Sequence, residues 1–362
     1  MEAWSLSAQP KKKIFGSLIT EVVKPGLCTA CGGCVAACPV NALIMDGEQP
    51  KIVGQCVTCE VCYHSCPQTE VPYSDIEKTV FGREKTVEDA FGVYREVYSV
   101  KTKLEEVGKV AQDGGAVTTM LVYALNNGMV DCAVVAGVKD EPWRAWPKVA
   151  LTAEEAVKGA GTKYTPSPNL IGLSEAVNNY MKRRIAFVGT PCQVRAIRQM
   201  QFNAKGCLKL GERVAVVIGL FCMESFNYRK LMDEFLKSKG YEPKDIDKFA
   251  ISKGKFIAYS GGNEVINVPL AEVKDYVRSS CHHCQDFTAE LADISVGSVG
   301  SPDGWSTVII RSSVGEELFR GAVEAGLLEA KPISEVKPGL DLVIKLSKRK
   351  KEQAAKSEEK TA

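Results

Sequence analysis

Residues 28–39 read Cys28-Thr-Ala-Cys31-Gly-Gly-Cys34-Val-Ala-Ala-Cys38-Pro39, and residues 56–67 read Cys56-Val-Thr-Cys59-Glu-Val-Cys62-Tyr-His-Ser-Cys66-Pro67. Each spells C-x2-C-x2-C-x3-C-P. Three thiolates spaced by two residues wrap three corners of an iron–sulfur cubane from one tight loop, and the fourth points away to ligate a second cubane. One [4Fe–4S] cluster is therefore expected on Cys28, Cys31, Cys34 and Cys66, and another on Cys56, Cys59, Cys62 and Cys38. Gly32 and Gly33 let the backbone approach a cluster and aim N–H groups at its sulfurs. Structural zinc sites would use two separated cysteine pairs instead.

Eight of the 14 cysteines lie between Cys28 and Cys66. A module of roughly 60 residues buries little apolar core, so metal is expected to hold it together. We read an N-terminal extension (1–17), an α+β ferredoxin-like module of the bacterial type (18–75) and a charged, weakly patterned linker (76–94).

The chain has 362 residues and a formal net charge of +2, which argues against a basic nucleic-acid binder and an acidic disordered chain. No apolar run reaches the length of about 18 residues that a membrane span needs, and Met1–Ser17 has no apolar h-region. With no export signal, the cysteines read as metal ligands rather than disulfides, in a cytoplasmic protein. Only three histidines are present, too few to make a histidine base an attractive catalyst.

From about residue 95 strand and helix patterns alternate. Strands are expected at 130–138, 184–190, 214–222, 292–300 and 306–312, and helices at 116–128, 170–183, 228–240 and 314–326. This predicts a larger α/β domain over 95–340 with a mixed, mostly parallel sheet. Residues 253–270 read as a hairpin turning near Gly261-Gly262, and 341–362 as a charged tail, either a solvated helix or disordered, or else a docking element.

Cys192 follows one strand and Cys222 ends another, which puts both thiols at the carboxyl edge of a parallel sheet, where open α/β sheets build their sites. Cys281-His282-His283-Cys284 adds a second pair. The four would make either a third [4Fe–4S] site or a four-thiolate zinc site. Cys132 reads as inert core, Cys207 is left over, and His282 and His283 read as neighbours of the site or surface residues.

Neither G-x-G-x-x-G after a strand nor G-x-x-x-x-G-K-[ST] occurs, so a Rossmann dinucleotide fold and a P-loop lack support. Three other turns suggest a bound, phosphate-bearing cofactor. Gly114 and Gly115 open the helix of Thr118 and Thr119. Thr162, Lys163, Tyr164 and Ser167 offer hydroxyls, a cation and a ring. Gly300, Ser301 and Trp305 lie in a glycine-rich loop. A flavin would suit the chemistry, because it converts a hydride into the single electrons that clusters accept.

The segments AQDGGAVTTMLVYALNNG (111–128), AGTKYTPSPN (160–169), GTPCQ (189–193), FCMESF (221–226), KGKF (253–256) and DFTAELADISVGSVGSPDGWSTVIIR (286–311) resemble the beta subunit of coenzyme F420-reducing hydrogenase and its relatives. The resemblance covers about residues 95–340. It implies FAD, one [4Fe–4S] cluster on Cys192, Cys222, Cys281 and Cys284, and coenzyme F420 as substrate, with Thr190 of GTPCQ beside the cofactor. Lys253, Lys255 and Arg311 are then candidates for a basic coenzyme entrance.

Fusion to an eight-cysteine module looks like the input subunit of an F420H2 dehydrogenase feeding a membrane-bound complex. Beta subunits of F420-reducing hydrogenases and F420-dependent formate dehydrogenases remain alternatives. Partners would be other subunits of such a complex or a ferredoxin, which would hold the chain at the inner membrane face. A relay or scaffold subunit without flavin, and a zinc-stabilised binding module, are the readings from other classes.

Overall fold

The computed structural model describes residues 12–361, with side chains to Glu359. Residues 1–11 of the expected N-terminal extension lie outside the described residues. In the N-terminal module two short strands, Leu43–Asp46 (β1) and Gln49–Ile52 (β2), form an antiparallel ribbon. One helical turn follows each cysteine loop, at Gly33–Ala36 and Val61–His64. The two halves repeat each other in backbone as well as sequence. Ala30 (φ 56°) and Thr58 (φ 52°) share a left-handed conformation, as do Gly32 (φ 81°) and Glu60 (φ 66°). The expected linker begins within a helix, Tyr73–Phe81, whose Ile76 is fully buried, and continues through 82–95 without helix or strand.

The remaining strands, in chain order, are Glu96–Thr102 (β3), Cys132–Val138 (β4), Ala145–Ala150 (β5), Ile185–Gly189 (β6), Val214–Leu220 (β7), Lys248–Ser252 (β8), Lys255–Ser260 (β9), Asn263–Pro269 (β10), Ile294–Gly297 (β11), Ser306–Ile310 (β12) and Leu328–Pro332 (β13). Eight of them form one mixed sheet in the order β13-β3-β12-β11-β7-β6-β4-β5. Its parallel pairing sits at the centre, along β11-β7-β6-β4, and antiparallel strands flank it on both sides.

Successive residues of β6 serve opposite faces, as strand geometry requires. Ile185 and Phe187 pack with Leu170, Leu173, Val194 and Ile197 of the helices Asn169–Asn178 and Pro191–Phe202. Ala186 and Val188 pack with Met120, Leu121, Leu318 and Phe319 of the helices Ala116–Asn126 and Ser313–Glu324. The result is a sheet with helices on both faces.

The expected hairpin is part of a three-stranded meander, β8-β9-β10, closed at Gly261-Gly262. Phe249 and Phe256 of this meander pack with Phe226 and Phe235 in a core of their own. The expected charged tail is helical, with one face buried. Leu340–Thr361 is a single helix, and Val343, Ser347, Lys350 and Ala354 are buried along it. These positions recur at helical spacing and so share one face.

Asp293 ties the centre of the sheet together from a buried position. Its carboxylate accepts from Val217 N (2.8 Å) and Ser312 Oγ (2.7 Å) and pairs with Arg198 at 3.0 Å. Removing one partner of such a pair leaves an uncompensated buried charge. Asp293→Asn should therefore destabilise the fold by about 3–5 kcal/mol, measured as a lowered thermal midpoint.

Candidate functional site

The strand–helix alternation delivers cysteines to one edge. Cys192 lies in the first turn of the helix after β6, and Cys222 lies two residues beyond β7, so both stand at the carboxyl ends of the parallel strands. Cys281 lies on the short helical turn Ser279–His282, and Cys284 follows two residues beyond its end. Burial, and then Cys281, Cys192 and Cys284 as neighbours, raise the Cys222 pKa against the effect of Lys350. Burial and the same company push Cys281 up to about 11. Donors already aim at this sulfur set. Ser225 N donates to Cys281 Sγ (3.4 Å), and the Thr190 hydroxyl lies 3.3 Å from Cys192 Sγ.

The N-terminal cysteines lie near one another. Burial, and then Cys31, Cys66 and Cys28, raise the Cys34 pKa. Burial, and then Cys59 and Cys56, push Cys62 up to about 12, with Cys38 also contributing. Cys38, Cys56, Cys59 and Cys62 line a small apolar cavity closed by Phe15, Pro39, Val40 and Leu43. Backbone N–H groups point at sulfur from Gly33 to Cys31, Ala42 to Cys38 and Thr58 to Cys56, at 3.3–3.4 Å. Clustered thiols that resist ionisation on their own are a ligand set for a cation, whose binding releases their protons. Among the described residues no three His, Cys, Asp or Glu side chains gather about a point fit for a single ion.

The three groups adjoin. Cys62 is a neighbour of both Cys34 and Cys66. Cys31 is a neighbour of Cys192, and the Thr29 side chain acts on both thiols. The helix Pro191–Phe202 fastens the module in place. Arg195 donates to Pro67 O (3.3 Å), and Gln199 Nε2 donates to Cys66 O (3.3 Å) and Glu70 O (2.6 Å). Gly32 has no room for a side chain, because a Cβ would lie 2.9 Å from Pro168 Cβ and from Ile171 Cγ1. Its role here is packing against the sheet domain as well as turning the loop. Arg278 bonds Cys28 O (2.8 Å) and pairs with Glu48.

A groove of about 760 Å³ opens at the carboxyl end of β4. Gly137, Trp146, Lys148, Gly161, Thr162 and Lys163 are among its walls, with Trp143, Lys139, Lys158 and Lys248. Trp143 donates through Nε1 to Ile246 O (3.0 Å) and packs edge-on against Phe249. Lys139 stands over the Trp146 ring at 5.1 Å. A hydrogen-bonded path joins this groove to the Cys192 group. Tyr164, next to Lys163, accepts at its carbonyl from Phe226 N (2.9 Å) and Ser225 Oγ (3.2 Å), and Ser225 N donates to Cys281 Sγ.

Of the expected cofactor contacts, Thr162 and Lys163 line the groove. The others have structural duties. Gly114 N donates to Ser306 Oγ (3.1 Å), and a Cβ there would meet Val100 O at 2.3 Å, so the glycine serves close packing rather than a phosphate. Gly115 (φ 72°) precedes the helix of Thr118 and Thr119, both of which are buried. Thr119 Oγ1 bonds Gly115 O and Thr102 Oγ1. Tyr164 packs on Phe256 and accepts at its hydroxyl from Ile251 N. Ser167 donates to Asn169. Gly300 (φ 104°) abuts Val343 of the C-terminal helix, and Ser301 bonds Thr307. Lys331 sits 4.5 Å over the Trp305 ring.

The expected entrance is also displaced. Arg311 is fully buried and donates to Ser295 Oγ, Val93 O and Thr288 Oγ1, so it faces no coenzyme. Lys253 pairs with Asp303 at 3.6 Å on the surface, and exposed Lys255 begins β9. Neither lines the groove. Apart from Lys163, sequence reasoning misses the lysines that do, and both tryptophans. The signal for them is the run Glu141-Pro-Trp-Arg-Ala-Trp146, two tryptophans three residues apart in a segment with little helical or strand pattern.

Residues 97–174 match the family described as coenzyme F420 hydrogenase/dehydrogenase, beta subunit N-term, and residues 182–336 match its C-terminal counterpart. The chain belongs to this beta-subunit family. Residues 20–67 match the 4Fe-4S dicluster domain. The beta subunit of coenzyme F420 hydrogenase from Methanothermobacter thermautotrophicus is 45% identical, over 74% of this chain and 94% of that protein. One of the subunits of the F(420)H(2) dehydrogenase from Methanosarcina mazei is 34% identical, over 92% of both chains. A chain of the F420-reducing [NiFe] hydrogenase complex from Methanosarcina barkeri superposes with a TM-score of 0.72 at 41% identity, covering 76% of this chain and 94% of that one.

Burial pushes Lys163 down to about 8, and its ammonium donates to the carbonyls of Gly159, Ala160 and Gly161 at 2.8–3.0 Å. Between that value and the ordinary lysine pKa of about 10.4, the unfolded chain binds the proton more tightly. The contribution of Lys163 to stability therefore rises with pH across this window, while the buried thiols, whose pKa values are raised, work in the opposite direction. Chemical denaturation of the ligand-free protein and of Lys163→Met between about pH 8 and 10 should show the parent gaining stability relative to the variant as pH rises.

Proposed function

We propose that this chain exchanges a hydride with coenzyme F420 and relays single electrons to a partner subunit, as the input subunit of an F420H2 dehydrogenase. The observation that carries this reading is the unbroken succession of sites. The groove leads through Tyr164 and Ser225 to the Cys192 group. Thr29 and Cys31 join that group to the Cys28 group, which in turn borders the Cys56 group. The match to the dehydrogenase subunit spans 92% of this chain and so takes in the cysteine-rich module, whereas the match to the hydrogenase beta subunit spans 74%.

FAD, bound in the groove, supplies the conversion between a two-electron hydride and one-electron carriers, and three [4Fe–4S] clusters supply the carriers. The chain's own residues bind, orient and enclose. Trp143 and Trp146 offer ring surface at the groove, and Gly137 and Gly161 allow close approach of backbone. Lys139, Lys148, Lys158 and Lys248 balance the phosphate and carboxylates of the coenzyme. No side-chain acid or base is required. Cys59 of the Cys56 group is exposed, which favours that group as the exit to the partner. Among the described residues no helix is long and apolar enough to cross a membrane, so contact with a membrane complex would come through partner subunits.

The direct test is to isolate the native complex anaerobically, identify its subunits and assay coenzyme F420 oxidation. The chain should carry about twelve irons and one FAD. A preparation with iron and no flavin supports a pure relay subunit instead. Cys59→Ser should stop electron exit while flavin reduction by the coenzyme continues in stopped-flow traces. Loss of flavin reduction with FAD still bound would reverse the order of carriers. Trp146→Ala and Lys148→Ala should raise KM for the coenzyme about tenfold, equivalent to about 1.4 kcal/mol, with iron content unchanged. The Lys148→Ala effect should shrink at high salt.

A further inference from the structure

The C-terminal helix is rich in lysine, and most of its cations face solvent. Lys348 and Arg349 are exposed. Lys350 is 4% exposed and falls in the buried stripe with Val343, Ser347 and Ala354. Placing an ammonium there carries a large desolvation penalty that an apolar side chain would avoid. What it meets is the cysteine quartet. Its Nζ donates to the carbonyl of Cys222, and its charge acts on Cys284, Cys222, Asp286 and Cys281. Ser347 Oγ, one turn earlier on the same face, is buried with no hydrogen-bond partner.

The other charges around this position are accounted for. Lys351, half-buried, pairs with Glu290 at 2.8 Å and donates to Ala90 O. Lys85 pairs with the same carboxylate at 3.2 Å. Arg195 acts on Asp286, Cys284 and Cys192 from the helix side while donating to Pro67 O. Glu224 feels Lys350 together with His282 and Lys274. Lys350 is thus the cation that the C-terminal helix brings to the thiols themselves.

We propose that Lys350 sets the midpoint potential of the iron–sulfur centre held by Cys192, Cys222, Cys281 and Cys284. This rests on the reading that the quartet holds a cluster. Reduction adds one electron from the two-electron carrier of the groove and breaks no bond, and the electron leaves to the Cys28 group. A fixed positive charge in a poorly screened interior stabilises the more negative, reduced state, and net charge around a cluster is one of the levers on its potential. Lys350 therefore holds this centre at a higher potential than the thiolates alone would. The C-terminal helix is in this respect a positioning element of the relay.

The test is a redox titration of the full-length, FAD-loaded chain followed by electron paramagnetic resonance, with iron and sulfide counted in each sample. Lys350→Gln keeps an N–H donor for the Cys222 carbonyl and removes the charge. It should retain about twelve irons and shift one midpoint to more negative potential, leaving the other two in place. Lys350→Arg should restore the parent value. An unchanged set of midpoints in Lys350→Gln overturns the proposal and leaves the three-cluster reading intact. A parent chain with only about eight irons removes that reading instead. Lys350→Met, which also deletes the donor, is titrated in parallel. Loss of the third centre from both neutral variants makes Lys350 a structural anchor and overturns the tuning role.

Discussion

The helix Pro191–Phe202 is a main tie between the cysteine-rich module and the sheet domain. Its first turn supplies Cys192, and its middle reaches across to the backbone of the cysteine-rich module through Arg195 and Gln199. Arg198 on the same helix anchors in the sheet through Asp293. Apolar Val194, Ile197 and Met200 fill the core beneath. Because a single rigid element makes all of these contacts, the sulfurs of the module and of the sheet are fixed relative to each other. Electron transfer over a chain of centres depends on that fixed spacing, and no flexible linker intervenes.

Much of this is legible in the sequence because cysteine spacing is local. Eight cysteines between Cys28 and Cys66 repeat one spacing, and that repeat is read from the sequence alone. The central strands are legible too, since buried parallel strands read as continuous apolar runs. The edge strands are not. β5 carries Pro147 and β13 ends in Pro332, and proline is tolerated at sheet edges while weakening the pattern that marks a strand. β3 alternates buried and part-exposed residues over a short stretch and carries a weaker signal than its neighbours.

The misplaced cofactor contacts have a common physical origin. A glycine before a helix can cradle a phosphate, or it can let two backbones touch, and the residue type is the same in both cases. Gly114 and Gly300 are of the second kind. Arg311 reads as a surface cation, yet its guanidinium satisfies three buried acceptors between strands. Lys350 is the same error in a charged setting, since a lysine among lysines reads as solvated and is buried. What separates these cases is tertiary contact, which one-dimensional patterning does not carry.

The placement of the ligands along the chain gives the molecule an order of construction. Every cysteine of the module has left the ribosome by Cys66, whereas the sheet-edge quartet waits for Cys284 and its covering helix for Leu340–Thr361. Domains form as units during synthesis, the N-terminal one first. Ligation by the module's cysteines would thus not have to wait for the rest of the chain, whereas the sheet-edge quartet is complete only once Cys284 has been made, and covered only once Leu340–Thr361 has followed.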